Sequence, residues 1–401
     1  MSESRSRRWF LGIGGAVTAA IAACTSKAPP APPSGLGAGI RPYGSRSRFE
    51  KATRFFRPTT IPEEASSRTP LQETYGIITP SSLHFERHHG GVPEIDPATH
   101  TLTIHGLVDR PTVFTVDDLK RLPSVSRIHF LECSGNSGSE WRGAGESDVQ
   151  RAHGLTSCSE WTGVRVALLL EECGAQKGAA WMLAEGADAC HLERSIPMAK
   201  AMHDALVAYA QNGEALRPEQ GYPLRLLLPG WEGNTNVKWL RRLKLMDRPA
   251  MTRWETSKYT DLMPDGSARQ FTFDMDAKSL ITRPSGGMRL PGPGVYELTG
   301  LAWSGRGTIA RVDITTDGGF TWTSAELQVP VLPRAHTRFR WTWNWNGAAA
   351  LIASRATDDT GYEQPALPAL VGVRGTNSTY HNNAIQVWKV AADGTITNGN
   401  S

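Results

Sequence analysis

The stretch Ile128-His129-Phe130-Leu131-Glu132-Cys133-Ser134-Gly135-Asn136 decides how this chain is read. An apolar run stops on a cysteine, and small and polar residues follow at once. An extended strand would carry the Cys133 thiol to its C-terminal end, where a loop opens. Side chains that do chemistry often sit at such strand-to-loop junctions. A thiolate there can bind a soft metal or act as a nucleophile. On spacing alone, an inert buried cysteine fits the stretch as well.

Upstream lies Leu83-His84-Phe85-Glu86-Arg87-His88-His89-Gly90-Gly91. Three histidines, an arginine and a glutamate crowd into six positions. Arginine beside histidine suits an anionic sulfur-oxo or phosphate group. A zinc site is the alternative, but it needs three or four well-placed ligands. In an extended strand His88 and His89 would point to opposite faces, so both would not ligate easily.

The surrounding pattern mixes strands and helices. Thr101–Leu107 and Arg127–Leu131 read as strands, and Tyr222–Pro229 as a third between glycines. Thr115-Val116-Asp117-Asp118 has the form of a capping box at a helix start. Val164–Cys173 has a helical pattern closed by Gly174. Ser195-Ile196-Pro197-Met198 reads as a helix start with Ser195 as its cap. From about residue 275 the pattern changes to short strands at Gly294–Trp303, Arg311–Thr316, Phe320–Leu327 and Arg338–Trp345. Asp317-Gly318-Gly319 reads as a hairpin turn between two of them. Phe339, Trp341, Trp343 and Trp345 alternate with Arg340, Thr342 and Asn344, which puts the aromatics on one buried face. The expectation is an α+β fold that ends in an immunoglobulin-like β-sandwich.

The chain has 401 residues, 39% hydrophobic and 20% charged, with a formal net charge of +4. That is an ordinary soluble composition with room for two or three domains. No basic stripe marks a nucleic-acid partner. Five cysteines occur, at 24, 133, 158, 173 and 190, with no CxxC or CxxCH pair. This excludes a zinc ribbon, a thioredoxin-type site and a covalent c-type haem within this chain. Arg7 and Arg8 precede an uncharged run from Trp9 to Ala23, too short to span a bilayer comfortably. Paired arginines there suggest twin-arginine export to the periplasm. Ile21-Ala22-Ala23-Cys24 resembles a lipoprotein cleavage box, so Cys24 either carries a lipid anchor or is discarded with the leader. The boundaries expected are a signal peptide at 1–24, a Pro/Gly-rich linker at 25–44, a first folded domain at 45–272 and the sandwich at 273–395.

Taken in order, these motifs resemble the sulfite oxidase family of molybdopterin enzymes. Phe85–His89 is similar to that family's F-x-R-N-H segment, and Cys133–Asn136 to its C-x-G-N motif. Glu185-Gly186-Ala187-Asp188 with Ser195–Met198 is similar to the next block. Gln220-Gly221-Tyr222-Pro223-Leu224-Arg225 is similar to H-G-F-P-x-R, and Val237-Lys238-Trp239-Leu240 to V-K-W-L. Arg41-Pro42-Tyr43-Gly44 and Lys258–Gly266 resemble the branch of sulfane dehydrogenase molybdenum subunits of the sulfur-oxidising (Sox) system. The resemblance implies a molybdenum-molybdopterin cofactor with Cys133 as thiolate ligand to the metal. It implies catalytic roles for Cys133, Arg87 and Tyr259. It implies cofactor binding by His89, Asp188, Gln220, Arg225 and Lys238. It further implies electron transfer to a separate, SoxD-like c-type cytochrome subunit, and a homodimer or heterotetramer.

Departures from the family pattern bear on the substrate. Ser137, Gly138 and Ser139 stand where sulfite-oxidising members place a second arginine. Gln220 stands in place of histidine, and Gly233-Asn234-Thr235 in place of Gly-Ala-Arg. Less positive charge argues against tight binding of free sulfite and favours a sulfur atom carried on a partner protein. Cys158, Cys173 and Cys190 match no family role and read as structural. The expected function is a periplasmic molybdenum-dependent sulfur-compound dehydrogenase. The rivals are a plain sulfite dehydrogenase, an exported sulfoxide reductase and a non-catalytic binding module.

Overall fold

The computed structural model describes residue 35, residues 37–377 and residues 379–400. The paired arginines, the apolar run and Cys24 lie outside these. The chain divides into two compact units, 1–51 and 52–401. In the first, the described residues form no strand or helix, and Arg41 donates to Ser45 across one turn of chain. Every strand and helix among the described residues lies in the second unit.

Strands outnumber helices and most pairing is antiparallel, so the α+β expectation holds. One sheet runs in the order Glu214–Ala215, Leu206–Gln211, Thr156–Arg165, Ser124–Glu132, with Arg225–Leu227 also pairing with Leu206–Gln211. A second runs Thr112–Thr115, Thr101–Gly106, Leu240–Met246, Trp181–Gly186, Glu193–Pro197, with its second and third strands parallel. The Val166–Cys173 helix buries Val166, Leu169, Leu170 and Cys173 in a core shared with Leu102, Ile104, Leu243 and Leu245. Gly174 ends it at φ 69°, a conformation open to a residue without Cβ. The capping box is complete: Thr115 accepts from the Asp118 N–H, and Asp118 accepts from the Thr115 N–H.

Three local readings need correction. Val164 and Arg165 end a strand, and the helix begins at Val166. The stretch 222–229 pairs as a strand only over Arg225–Leu227, because the Leu228 N–H is taken by the Asn236 side chain. Ser195 caps no helix. Ile196 precedes a proline and stays extended, so the Glu193–Pro197 strand continues and the helix starts at Met198. Ser195 Oγ instead donates to Glu255 at 3.0 Å and accepts from the Ala250 N–H at 2.9 Å.

The C-terminal part is a sandwich of two antiparallel sheets. One has the order Lys278–Arg283, Gly294–Trp303, Thr337–Trp345, Glu326–Leu327. The other has Thr323–Ser324, Ile309–Thr315, Ala350–Asp358, Val387–Val390, Ile396–Asn398. Phe339, Trp343 and Trp345 are buried and Trp341 half-buried, while Arg340, Thr342 and Asn344 face solvent. The hairpin at Asp317–Gly319 is present.

The sandwich shares an apolar core with the first sheets. Phe130, on the strand that leads to Cys133, belongs to the same apolar core as Trp303, Phe339 and Trp388. At the seam a Cβ on Gly230 would lie 2.2 Å from the Gly305 carbonyl oxygen, and one on Gly305 would lie 2.0 Å from that of Gly230. Only glycine lets the two backbones touch. Among the described residues no helix is long and apolar enough to cross a membrane.

Candidate active site

The Ser124–Glu132 strand ends where the sequence indicates, and Cys133 is the first residue beyond it. Its N–H donates to Leu155 O at 2.9 Å, and its carbonyl accepts from the Asn136 N–H at 2.9 Å. Asn136 holds the turn from inside: Oδ1 accepts from the Leu155 N–H, and Nδ2 donates to Glu132 Oε1. Gly233 lies against this turn, where an added Cβ would sit 2.9 Å from Glu132 O. The thiol is free and lines an open-sided cavity whose empty space, open solvent included, is roughly 700 Å³. Burial pushes the Cys133 thiol up, against the backbone N–H of Gly135 and the Arg87 charge, which favour the thiolate.

The structure brings every candidate residue to this cavity. Arg87, His89, Asp188, Gln220, Arg225, Lys238 and Tyr259 line it together with Cys133. The extended segment at 86–87 stops at Arg87, so alternation does not carry on through the two histidines. His88 and His89 both face the cavity, contrary to the expectation from alternation. His88 is nevertheless engaged, with Nε2 2.9 Å from Glu86 Oε2 and Nδ1 accepting from Lys238 Nζ at 2.6 Å. Burial first, then the Lys238 charge, lowers the pKa of His88 to about 4. No group of three or more His, Cys, Asp or Glu side chains comes together as a metal site among the described residues. The zinc alternative therefore finds no ligand set there.

The cavity is cationic, and among the described residues its cations form no ion pair with a carboxylate. Arg225 is buried, with Nη1 donating to Gln220 O at 3.0 Å and Nη2 to Asn236 O at 3.3 Å. Burial lowers its pKa to about 9. Lys238 Nζ donates to His88, Arg87 O and Glu219 O, and burial followed by the Arg225 charge lowers its pKa to about 7. Gln220 bridges from its side chain to Phe85 O at 2.9 Å. Asp188 accepts from the Cys190 thiol at 2.6 Å and from the Leu192 N–H at 3.1 Å. Cys190 thus touches a candidate cofactor residue, where the sequence marked it only as structural. Cys158 is fully buried in the sandwich core, as a structural cysteine should be.

Three cavity-lining residues carry buried polar atoms with no partner among the described residues: His84 Nε2, Arg225 Nε and Asn234 Oδ1. An unmet buried polar atom costs about 1–3 kcal/mol. Burial holds His84 neutral, with a pKa of about 3. Its Nδ1 lies 3.1 Å from Phe85 O, an arrangement that assigns the proton to Nδ1 and leaves Nε2 an acceptor. The residues of the lining thus carry two acceptors and one donor without counterparts among the described residues, beside two cations that form no ion pair there. This donor set fits a flat heterocycle with N–H and carbonyl edges and an anionic tail, and so fits molybdopterin.

On another side stand Tyr259, with Oη 2.5 Å from His89 Nε2, and Tyr380, 5.4 Å from the Tyr259 ring. Trp254 packs on His89, and the Arg194 guanidinium lies 5.2 Å from the Tyr259 ring centre. Arg194 is buried and sits near Glu232 and Glu255. Glu232 also meets His381 at 3.2 Å. Arg194, Tyr380 and His381 carry no local sequence signal. They reach the site only because strands and loops distant in sequence converge on it.

Comparisons with known proteins agree with this geometry. Residues 89–254 match the oxidoreductase molybdopterin binding domain model, and residues 269–388 the Mo-co oxidoreductase dimerisation domain model. Mouse mitochondrial sulfite oxidase is 32% identical over 274 residues, covering 64% of this chain and 50% of that protein. An NADH nitrate reductase of Ulva prolifera is 31% identical over 346 residues, covering 76% of this chain and 40% of that protein. The chain thus spans half or less of the length of these two relatives. The crystal structure of the sulfane dehydrogenase SoxCD from Paracoccus pantotrophus is 47% identical, covers 91% of this chain and 95% of that chain, and superposes with a TM-score of 0.89.

Proposed function

The chain belongs to the sulfite oxidase family of molybdopterin oxidoreductases, and on that premise we propose that it is a periplasmic sulfur-compound dehydrogenase that passes electrons to a c-type cytochrome. The observation that carries the reading is the free Cys133 thiol lining a cavity whose cations form no ion pair with a carboxylate among the described residues. Cys133 is the metal ligand. Arg225, Lys238, Gln220, Asp188 and His89 hold the pterin and its phosphate, and Arg87 and Tyr259 face the substrate. Bound there, molybdopterin supplies a redox-active metal able to move oxygen onto reduced sulfur. In the sulfite case the balance is sulfite plus water giving sulfate, two protons and two electrons.

This chain's own residues orient and neutralise. Arg225 and Lys238 offset the cofactor's negative charge from the cavity wall. Tyr259 Oη and His89 Nε2 share one proton position beside the cavity. Tyr259, backed by ring contacts with Tyr380 and Trp254, gives this side an aromatic edge. That edge, with serine and glycine at 137–139 where the family pattern has a second arginine, supports a substrate less charged than free sulfite, such as a sulfane sulfur on a partner's cysteine. The Mo-co dimerisation model over the sandwich supports a homodimer or heterotetramer, and the paired arginines support export by the twin-arginine route.

The test is metal analysis of the full chain expressed in a molybdenum-competent host, beside Cys133→Ala, followed by steady-state rates. About one molybdenum per chain, lost in the variant, is expected, with faster cytochrome c reduction on thiol-bound sulfane sulfur than on free sulfite. Molybdenum-free, correctly folded protein removes the enzyme reading. A preference for free sulfite makes the chain a plain sulfite dehydrogenase.

A further inference from the structure

The turn that presents Cys133 is gripped from the sandwich. Glu132, the residue before the cysteine, is buried. Its Oε1 accepts from Asn136 Nδ2 at 2.9 Å and from Lys278 Nζ at 3.4 Å, and its Oε2 accepts from Trp303 Nε1 at 2.7 Å. Lys278 and Trp303 face each other in register on the first two strands of the sandwich. Lys278 Nζ also donates to Ser137 Oγ at 2.7 Å and to Asn382 O at 2.8 Å. Ser137 ends the turn after Asn136 in the left-handed region, φ 62°. One buried ammonium therefore directs its three donors to both flanks of the Cys133 turn and to the sandwich loop beyond.

A buried lysine–glutamate pair is poor evidence of stability, because desolvation offsets most of the attraction and an apolar pair would pack as well. What such a pair supplies is direction. Glu132 is fixed by three donors at set angles, and two of them come from a domain that offers no residue to the cavity's pterin side. The Lys278 charge also offsets a carboxylate that stands next to the thiolate position.

We propose that Lys278 is a positioning residue for the metal-binding thiolate. Acting through Glu132 and Ser137, it sets where the Cys133 sulfur sits, so the sandwich is a working part of the metal site. The inference rests on the reading of Cys133 as the metal ligand.

The test uses the purified holoenzyme with Lys278→Met, and Lys200→Met as a control that removes another buried lysine, one bonded to Asp204 and Pro229 O. The readouts are molybdenum per chain and the electron paramagnetic resonance of the one-electron-reduced metal, which reports the sulfur geometry. Lys278→Met is expected to lower molybdenum content severalfold and to shift or broaden the resonance. Lys200→Met is expected to leave both native even where its loss of thermal midpoint is as large. If Lys278→Met does not fold, the double variant Glu132→Gln/Lys278→Met, which buries no unpaired charge, is read in its place with the same expected shift. A native resonance in whichever variant folds, or an equal shift in Lys200→Met, overturns the proposal. Wild-type protein without molybdenum would instead strike the functional reading itself, and this inference with it.

Discussion

The Tyr259 hydroxyl lies 2.5 Å from His89 Nε2, joining residues 170 positions apart at the edge of the cavity. Burial, then the Arg87 and Lys238 charges, lowers the His89 pKa to about 3, so the ring is neutral at working pH and Tyr259 is the donor. Burial also pushes the Tyr259 phenol above its ordinary range, against loss of its proton. Tyr259→Phe keeps the ring, its tilted contact with Tyr380 and its contact with Arg194, and removes only the hydroxyl. Its kcat is expected to fall about a hundredfold, the lower end of what one positioned proton donor contributes, with molybdenum content unchanged. An unchanged kcat would remove Tyr259 from the chemistry.

Arg225 distinguishes a ligand site from a structural one. Its buried guanidinium has no carboxylate, and its Nε has no partner. In cofactor-free protein Arg225→Met should cost no more than about 1–3 kcal/mol, because removal of a desolvated charge offsets much of the penalty of leaving the Gln220 and Asn236 carbonyls unmet. In holoprotein the same change should lower cofactor retention at least tenfold. Thermal midpoints of both forms with metal analysis check this. A large loss of stability in the cofactor-free protein would mark Arg225 as structural.

Lys238 sets a pH dependence. Its folded pKa is about 7 against an ordinary 10.5. Between these values the unfolded chain holds more protons, so cofactor-free stability should rise as pH rises from about 7 toward 10.5. Anion binding has the opposite slope, since it requires the protonated lysine. Sulfate keeps its charge throughout this range, so its dissociation constant measured by calorimetry on cofactor-free protein should weaken by up to about tenfold per pH unit above 7. Lys238→Met should bind weakly at every pH. A wild-type constant that does not change with pH would contradict the assignment.

Gly305 tests the seam. A Cβ there would lie 2.0 Å from Gly230 O and 2.7 Å from Met275 O, all backbone atoms that cannot rotate away. Gly305→Ala should destabilise by about 3 kcal/mol or more, the scale of overpacking that forces backbone to move. Chemical denaturation should show one transition at lower denaturant. Native stability would mean that the two parts separate freely.

Much of this molecule was legible in order along the chain. The strand into Cys133, the capping box at Thr115, the hairpin at Asp317–Gly319 and the aromatic face of Thr337–Trp345 are set by nearest neighbours and by a period of two, which sequence displays directly. The residues expected around the cavity were legible by resemblance, and all of them line it. Local rules failed where a tertiary partner overrode them. Ser195 could cap a helix, but Glu255, sixty residues on, takes its hydroxyl. His88 and His89 would part in a strand, but the strand ends one residue earlier.

The sequence by itself determined the fold class, the cysteine at the strand end and the family. Only the tertiary structure decided that Arg194, Tyr380 and His381 stand at the site, that His84, Arg225 and Asn234 leave polar atoms unmet in one cavity, and that Lys278 reaches across from the sandwich to Glu132. The reason is physical. Periodicity reports which face of an element is buried, whereas a buried charge finds its partner through the packing of whole sheets, and nothing in local spacing records which distant residue that will be.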